Sequence, residues 1–303
     1  MPKTMDQSNR IIFEKPNLDS LIKRYTVVDA HFHSRYSDGV DTVAAIAAHA
    51  RKMDIGVAIT DHNDIRGAIE LNSYTNVLSI PAIEITSVEG THLLVYFYDI
   101  KSLEQFYQRD VEPFLGKDEM SATSLTMDAI IERARAFKSV IIFPHPYSAA
   151  YTGICNSFFS SQRLDRLFKR VDGVEVLNAS NLHRWNTRCA LLGFNLNKAI
   201  IGGSDGHKLA NMGKAVTYAM CKPSRRAFLD TVRKRQTKVI GKEIDLLRKV
   251  TSNGSKLKNN FRNYPDLMEK NIRYGYKVIN LKSKNLRNNV KERLNGRDRR
   301  KQS

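Results

Sequence analysis

Residues 25–39 read YTVVDAHFHSRYSDG. The segment opens as a short run rich in β-branched side chains, the composition of a buried strand, and then turns abruptly polar. Asp29, His31 and His33 lie at its end, followed by Ser34, Arg35 and Asp38. Alternate side chains of a strand share a face, so His31 and His33 project to the same side as a chelating pair.

The same grammar recurs along the chain. Apolar runs at Val57–Thr60, Val77–Ile85, His92–Tyr98, Val140–Phe143, Val174–Leu177 and Ala199–Ile201 read as strands, and most have the pattern of buried parallel ones. Val216–Met220 and Lys238–Ile240 are further candidates to close the sheet. Between them, Val43–Met53 and Met127–Phe137 repeat apolar residues at three and four positions, as amphipathic helices do. Strand, helix, strand alternation predicts an α/β fold, as a barrel or a wound sheet. The expected organisation is an N-terminal segment over 1–24, a core domain over 25–241 and a basic extension over 242–303.

Ligands of α/β folds bind at the carboxyl ends of the strands, and here almost every strand ends in a metal-ligating residue type. Asp61 and His62 follow the second run, Glu84 closes the third, and His92 opens the fourth. His145 follows VIIFP, Glu175 and Asn178 flank VEVLN, and Asp205 and His207 follow AIIGGS. Five of the eight histidines sit directly after strands, and His92 starts one. Mixed imidazole and carboxylate ligands suit Zn²⁺, Mn²⁺ or Fe²⁺, with Mg²⁺ a further candidate. The set exceeds what one ion can use, so two or three clustered divalent ions are expected. Such clusters activate water as a metal-bound hydroxide and stabilise a leaving oxygen.

DAHFHSRYSDG at 29–39, ITDHND at 59–64, PAIEI around Glu84, THLLVYF at 91–97, FPHPY at 143–147 and GGSDGH at 202–207 together resemble the polymerase and histidinol phosphatase (PHP) domain family of metal-dependent phosphoesterases. The resemblance covers about residues 25–241. It implies a distorted (β/α)7-type barrel and a trinuclear site. His31, His33, Asp38, His62, Glu84, His92, His145, Asp205 and His207 fall at its ligand positions. SRYSDG looks most like the small phosphatase and 5′-3′ exoribonuclease branch.

The expected activity is hydrolysis of a phosphate monoester, with a phosphorylated small molecule or nucleotide as substrate. Asp205 is read as catalytic as well as ligating. Ser34, Arg35, Asn178 and His183 are read as substrate-binding, Arg35 as a bidentate phosphate grip and His183 as the donor of the leaving-group proton. Asp29 reads as an orienting acceptor for a ligand imidazole, and Trp185, the only tryptophan, as packing against the barrel. Two other readings stand beside this one: a 5′-3′ exonuclease acting on RNA or short oligonucleotides, and a non-catalytic metal-containing binding module.

Charge separates the chain into two parts. Residues 1–221 hold 24 basic and 24 acidic residues, whereas 222–303 hold 25 basic and 7 acidic, so the formal charge of +18 belongs to the last quarter. RNA or DNA attraction is therefore expected of the tail over 242–303. Three cysteines without a CxxC pair exclude a disulfide framework and a thiolate zinc site. No run of about 18 apolar residues and no apolar leader is present, so a cytoplasmic protein without membrane contact is expected.

Overall fold

The computed structural model describes residues 10–118, 120–148, 152–155 and 159–243. In chain order the elements are β1 (Ile11–Ile12), α1 (Leu18–Leu21), β2 (Thr26–Phe32), α2 (Val43–Lys52), β3 (Gly56–Ile59), α3 (Arg66–Asn72), β4 (Ala82–Thr86), β5 (His92–Phe97) and α4 (Ile100–Phe106). A π-helical turn over Tyr107–Val111 continues α4. Then follow α5 (Met127–Arg135), β6 (Ser139–Phe143), α6 (Ser161–Arg170), β7 (Gly173–Asn178), α7 (His183–Leu196), β8 (Ala199–Gly203), β9 (Ala215–Ala219), α8 (Arg225–Arg233) and β10 (Lys238–Gly241).

The two helices predicted from periodicity form where the apolar stripe and a capping residue coincide. Thr42 accepts from the Ala45 amide at the start of α2, which buries Val43, Ile46, Ala47 and Ala50. Thr126 accepts from Ala129 at the start of α5, which buries Met127, Ile130, Ile131 and Ala134.

The strands make an α/β fold of two five-stranded mixed sheets, ordered β1-β10-β9-β2-β3 and β4-β5-β6-β7-β8. The expected closed barrel is not formed among the described residues. The seams between the sheets are isolated bridges, Val57 with Ser79 and His62 with Glu84 on one side and Phe32 with Gly206 on the other. Pro81 explains the first seam: it has no amide to donate, so the run expected as one strand over Val77–Ile85 pairs at Ser79, breaks, and resumes as β4.

The expectation of parallel strands holds for β2 with β3 and for β6 with β7 and β8. It fails for β4, β5 and β6, which pair antiparallel. Only residues 87–91 join β4 to β5, with Gly90 at φ +81°, and such a turn makes a hairpin but not a crossover. Both faces of β2 are covered, so all seven of its residues are buried, Asp29 and His31 included. On the other sheet Phe97 packs its ring 5.2 Å from Phe106.

No helix among the described residues is long and apolar enough to cross a membrane. Residues 244–303, and with them nearly all of the extension, lie outside the described residues.

Candidate metal centre

Seven elements deliver polar side chains to one end of the strands. β2 supplies His31 and, just past its end, His33; the loop after it supplies Asp38. His62 follows β3, Glu84 lies on β4, His92 opens β5, His145 follows β6, Glu175 and Asn178 lie on β7, and Asp205 and His207 follow β8. Positions scattered over 177 residues of sequence thus meet in one volume, because the strands that carry or precede them are neighbours in the two sheets.

Glu84 is the centre of the cluster. Its Oε1 lies 2.8 Å from His92 Nδ1 and 3.4 Å from His145 Nε2. Its Oε2 lies 3.3 Å from His31 Nε2, 3.4 Å from His33 Nε2 and 3.3 Å from His62 Nδ1. Asp205 Oδ1 is 3.1 Å from His33 Nε2 and 3.5 Å from His31 Nε2. Asp38 places Oδ2 2.9 Å from His207 Nε2 and Oδ1 3.8 Å from His62 Nε2.

Three groups offer ligand atoms within 4.8 Å of one another: His31, His33 and Glu84; His33, Asp38 and His207; and His62, Glu84 and His92. The spacing has a physical meaning. Ligand atoms held about 2.0–2.2 Å from a shared ion are separated from each other by about 3–3.5 Å, the edge of a tetrahedron or octahedron. Hydrogen bonding alone does not explain the cluster. His33 Nδ1, His62 Nδ1 and His145 Nδ1 are buried and lack hydrogen-bond partners among the described residues. A buried unsatisfied nitrogen costs about 1–3 kcal/mol, and two of the three, His62 Nδ1 at 3.3 Å from Glu84 Oε2 and His33 Nδ1 at 3.7 Å from Asp38 Oδ1, face carboxylates, so divalent ions fit there as the missing partners.

The electrostatics agree. Burial alone would raise the Glu84 and Asp205 carboxyls, yet the imidazoles around them, His92, His62 and His31 for Glu84 and His31, His33 and His207 for Asp205, hold both well below the usual carboxylate range. Burial pushes His62 down to about 3, leaving a neutral imidazole with a lone pair to give. His31, although burial opposes it, is raised well above its ordinary value by Asp205, Glu175 and Glu84. Three carboxylates drawing positive charge into one buried volume is the field a cation site needs.

A second layer holds these groups in place. Glu175 Oε1 lies 3.1 Å from His31 Nδ1, and its Oε2 accepts from the His145 amide at 2.8 Å. Asp61, buried, accepts from the Ser34 amide at 2.7 Å, the Ser34 hydroxyl at 2.6 Å and the Ser37 hydroxyl at 2.8 Å. It thereby braces the loop that carries Asp38. Gly203 is required beside His31: a Cβ there would lie 2.4 Å from the His31 Cβ.

Several expected roles change in the structure. Ser34 was expected to bind substrate, but it is buried and its hydroxyl donates to Asp61. Asn178 is likewise buried; its amide donates to Glu175 Oε2 at 3.0 Å and to Asp205 Oδ2 at 3.2 Å, so it aligns carboxylates instead of meeting substrate. His183 lies outside the cluster at the first residue of α7, 70% exposed, with Nδ1 3.2 Å from Glu243 Oε1. It is not among the residues that the cluster brings together. Arg35 is exposed on the Asp38 loop, its guanidinium 5.9 Å from the Tyr36 ring centroid. Asp29 does not orient an imidazole. It accepts from the Ser204 amide and hydroxyl at 2.9 and 2.6 Å and from the Gly213 amide at 2.9 Å, and burial pushes it up to about 6. Asp61 braces the loop that carries Asp38 from 24 and 27 residues away, a pairing that no local sequence signal announces.

Residues 183–237 match the PHP-associated family PHP_C. An uncharacterized protein of Methanocaldococcus jannaschii, MJ1587, is 30% identical over 167 residues, spanning 50% of this chain and 81% of that protein. Among solved structures, Endonuclease Q in complex with a 27-mer duplex carrying an abasic lesion superposes with a TM-score of 0.60 at 16% identity, over 72% of this chain and 60% of that one. A two-domain Bacteroides vulgatus protein containing a predicted PHP-like metal-dependent phosphoesterase gives a TM-score of 0.54 at 18% identity, over 80% of this chain and 73% of that one. The family match and the PHP-like fold of the solved neighbour agree with the motifs at the strand ends: the chain belongs to the PHP domain family.

Proposed function

We propose that the protein is a phosphoesterase that hydrolyses a phosphate monoester with two or three divalent ions, Mn²⁺, Fe²⁺ or Zn²⁺. The observation that carries this reading is the sharing of one carboxylate, Glu84, among five imidazoles, three of which keep a buried nitrogen without a hydrogen bond among the described residues. His31, His33 and Glu84 would hold one ion, His33, Asp38 and His207 a second, and His62, Glu84 and His92 a third, with Asp205 and His145 completing the set. Ions so held acidify water and neutralise phosphoryl oxygens.

The chain's own residues do the rest. Glu175 fixes the His31 ring and the His145 backbone, so the two imidazoles keep their places as charge changes nearby. Asn178 holds Asp205 Oδ2 and leaves Oδ1 facing His31 and His33. Arg35, exposed beside Asp38, supplies a fork of N–H donors for the phosphate. With His183 turned toward Glu243, the leaving oxygen takes its proton from solvent.

The second reading, a 5′-3′ exonuclease, is favoured by the likeness to Endonuclease Q and by the basic 242–303 segment. One experiment separates them. The Mn²⁺-loaded protein is incubated with a short RNA bearing a labelled 5′ phosphate. Free phosphate is the expected product; labelled mononucleotide selects the exonuclease. Neither product, with ions bound, overturns both.

A further inference from the structure

The first two turns of α7 stand beside the metal centre. Asn186 receives the Asn178 amide on its Oδ1 at 3.1 Å and donates to the Asn178 carbonyl at 2.8 Å, and Asn178 in turn holds Asp205. On the other flank Tyr147, two residues beyond His145, is pinned to α7. Its amide donates to Cys189 Sγ at 3.4 Å, and its carbonyl accepts from Asn181 Nδ2 at 2.7 Å. Helix and loop both follow the carboxyl ends of strands, β7 and β6, so they border the same mouth.

Here the side chains alternate aromatic and cationic. The Arg188 guanidinium carbon lies 4.0 Å from the Tyr147 ring centroid and 5.2 Å from that of Trp185, and Arg184 lies 5.0 Å from Trp185. A column results: Tyr147, Arg188, Trp185, Arg184. Neither arginine is paired with a carboxylate among the described residues, in contrast to Arg66, Arg109, Arg133, Arg163 and Arg170. Helix α7 carries no acidic residue, and its N-terminal amides receive no side-chain cap, whereas α2, α5, α6 and α8 are each capped by Ser or Thr. Trp185 Nε1 is a buried donor without a partner among the described residues.

The exposed guanidinium groups and the uncapped helix start serve one kind of ligand. Guanidinium groups held over aromatic rings are pre-ordered to receive a further planar group, and their outward N–H groups stay available to phosphate oxygens. An uncapped helix start adds amide donors and a positive dipole. Together they ask for a planar aromatic ring joined to a phosphate. Building on the phosphoesterase reading, we propose that Tyr147, Arg188, Trp185 and Arg184 form the subsite that receives the base and adjoining phosphate of a nucleoside phosphate, either a free nucleotide or the end of a single strand, while the metal centre takes the scissile group.

Trp185 is the only tryptophan in the chain, so its fluorescence reports on this column alone. The full-length, Mn²⁺-loaded protein is titrated with adenosine 5′-monophosphate, a 5′-phosphorylated tetranucleotide, ribose 5-phosphate and tripolyphosphate. Saturable quenching by the two base-bearing ligands, absent with ribose 5-phosphate, is expected. Replacing Arg184, the exposed end of the column (Arg184→Ala), weakens nucleotide binding about 10-fold, the scale of one lost base stack; Arg184→Lys, which keeps the charge but not the plane, loses most of the same affinity. Tighter binding of the tetranucleotide assigns the site to strand ends, and equal binding assigns it to free nucleotides. Quenching by tripolyphosphate as strong as by the nucleotides, or an unmoved signal, overturns the proposal. Hydrolysis of ribose 5-phosphate by the unaltered protein is read in parallel. Hydrolysis without nucleotide quenching refutes the subsite alone, whereas quenching without hydrolysis of any phosphoester refutes the phosphoesterase reading and leaves the subsite standing.

Discussion

Replacing Asp61 with alanine separates a brace from a ligand. Asp61 is fully buried and accepts three hydrogen bonds of 2.6–2.8 Å, from the Ser34 amide, the Ser34 hydroxyl and the Ser37 hydroxyl. Alanine leaves all three donors without an acceptor. At about 1–3 kcal/mol for each buried donor, and allowing the two hydroxyls to find partial substitutes, the loss comes to about 3–5 kcal/mol. For a domain of this size each kcal/mol moves the melting temperature by about 2–4 °C, so calorimetry in EDTA should show a fall of roughly 6–20 °C. Asp61→Asn, which keeps the shape and one acceptor, should cost less than half as much. Gly67→Ala attacks the same brace from below, because a Cβ there would lie 2.1 Å from Asp61 Oδ2. A melting temperature for Asp61→Ala within about 2 °C of the parent, accompanied by loss of a bound ion, would refute the reasoning and make Asp61 a ligand.

Other consequences can be checked in the same preparations. Mn²⁺ at 100–1,000 times its dissociation constant should add about 2.7–4.1 kcal/mol of stability, and Glu84→Gln, by weakening the shared carboxylate, should cut the resulting thermal shift to less than half; an undiminished shift would place the ions elsewhere. Phe97→Ala, which empties a buried site between Phe106 and Phe137, should cost about 3–5 kcal/mol by denaturant titration with no change in ion stoichiometry. Burial pushes the Cys155 thiol up to about 11 and Cys189 up to about 12, so both are almost wholly protonated at pH 8. Native protein at pH 8 should therefore show one fast-reacting thiol, Cys221, of three, with the Cys155 rate climbing as pH rises toward 11; three equally fast thiols would contradict the burial.

The clustered residues were legible because most of them lie at or just beyond the ends of strands, and strand ends are readable from β-branched runs. Pairing direction was not. Nothing in the composition of His92–Phe97 distinguishes an antiparallel hairpin from a buried parallel strand; the short link at 87–91 decided it. Helices α6 and α7 were missed because their apolar stripes are narrow: α6 buries only Leu167 and Phe168, and α7 buries Asn186, Cys189 and Gly193. Roles that depend on who sits opposite were the least readable. Ser34 and Asn178 carry polar groups at positions facing the centre, but Asp61 and Glu175 consume them, and those partners are 27 and 3 residues away in sequence. His183 looked like a site residue because it follows a ligand-bearing strand, yet helix α7 starts at that very residue and turns its ring outward to Glu243.

The central claim is that this one cluster hydrolyses phosphoesters through divalent ions held by Glu84 and the histidines around it. Its most direct test is phosphate release from 4-nitrophenyl phosphate by the full-length protein stripped with EDTA, reloaded with Mn²⁺, and compared with His33→Ala treated identically. The account predicts no turnover when stripped, recovery on reloading, and a loss of at least about 100-fold in the variant at unchanged secondary structure. Turnover that survives stripping, or that is undiminished in His33→Ala, would contradict it.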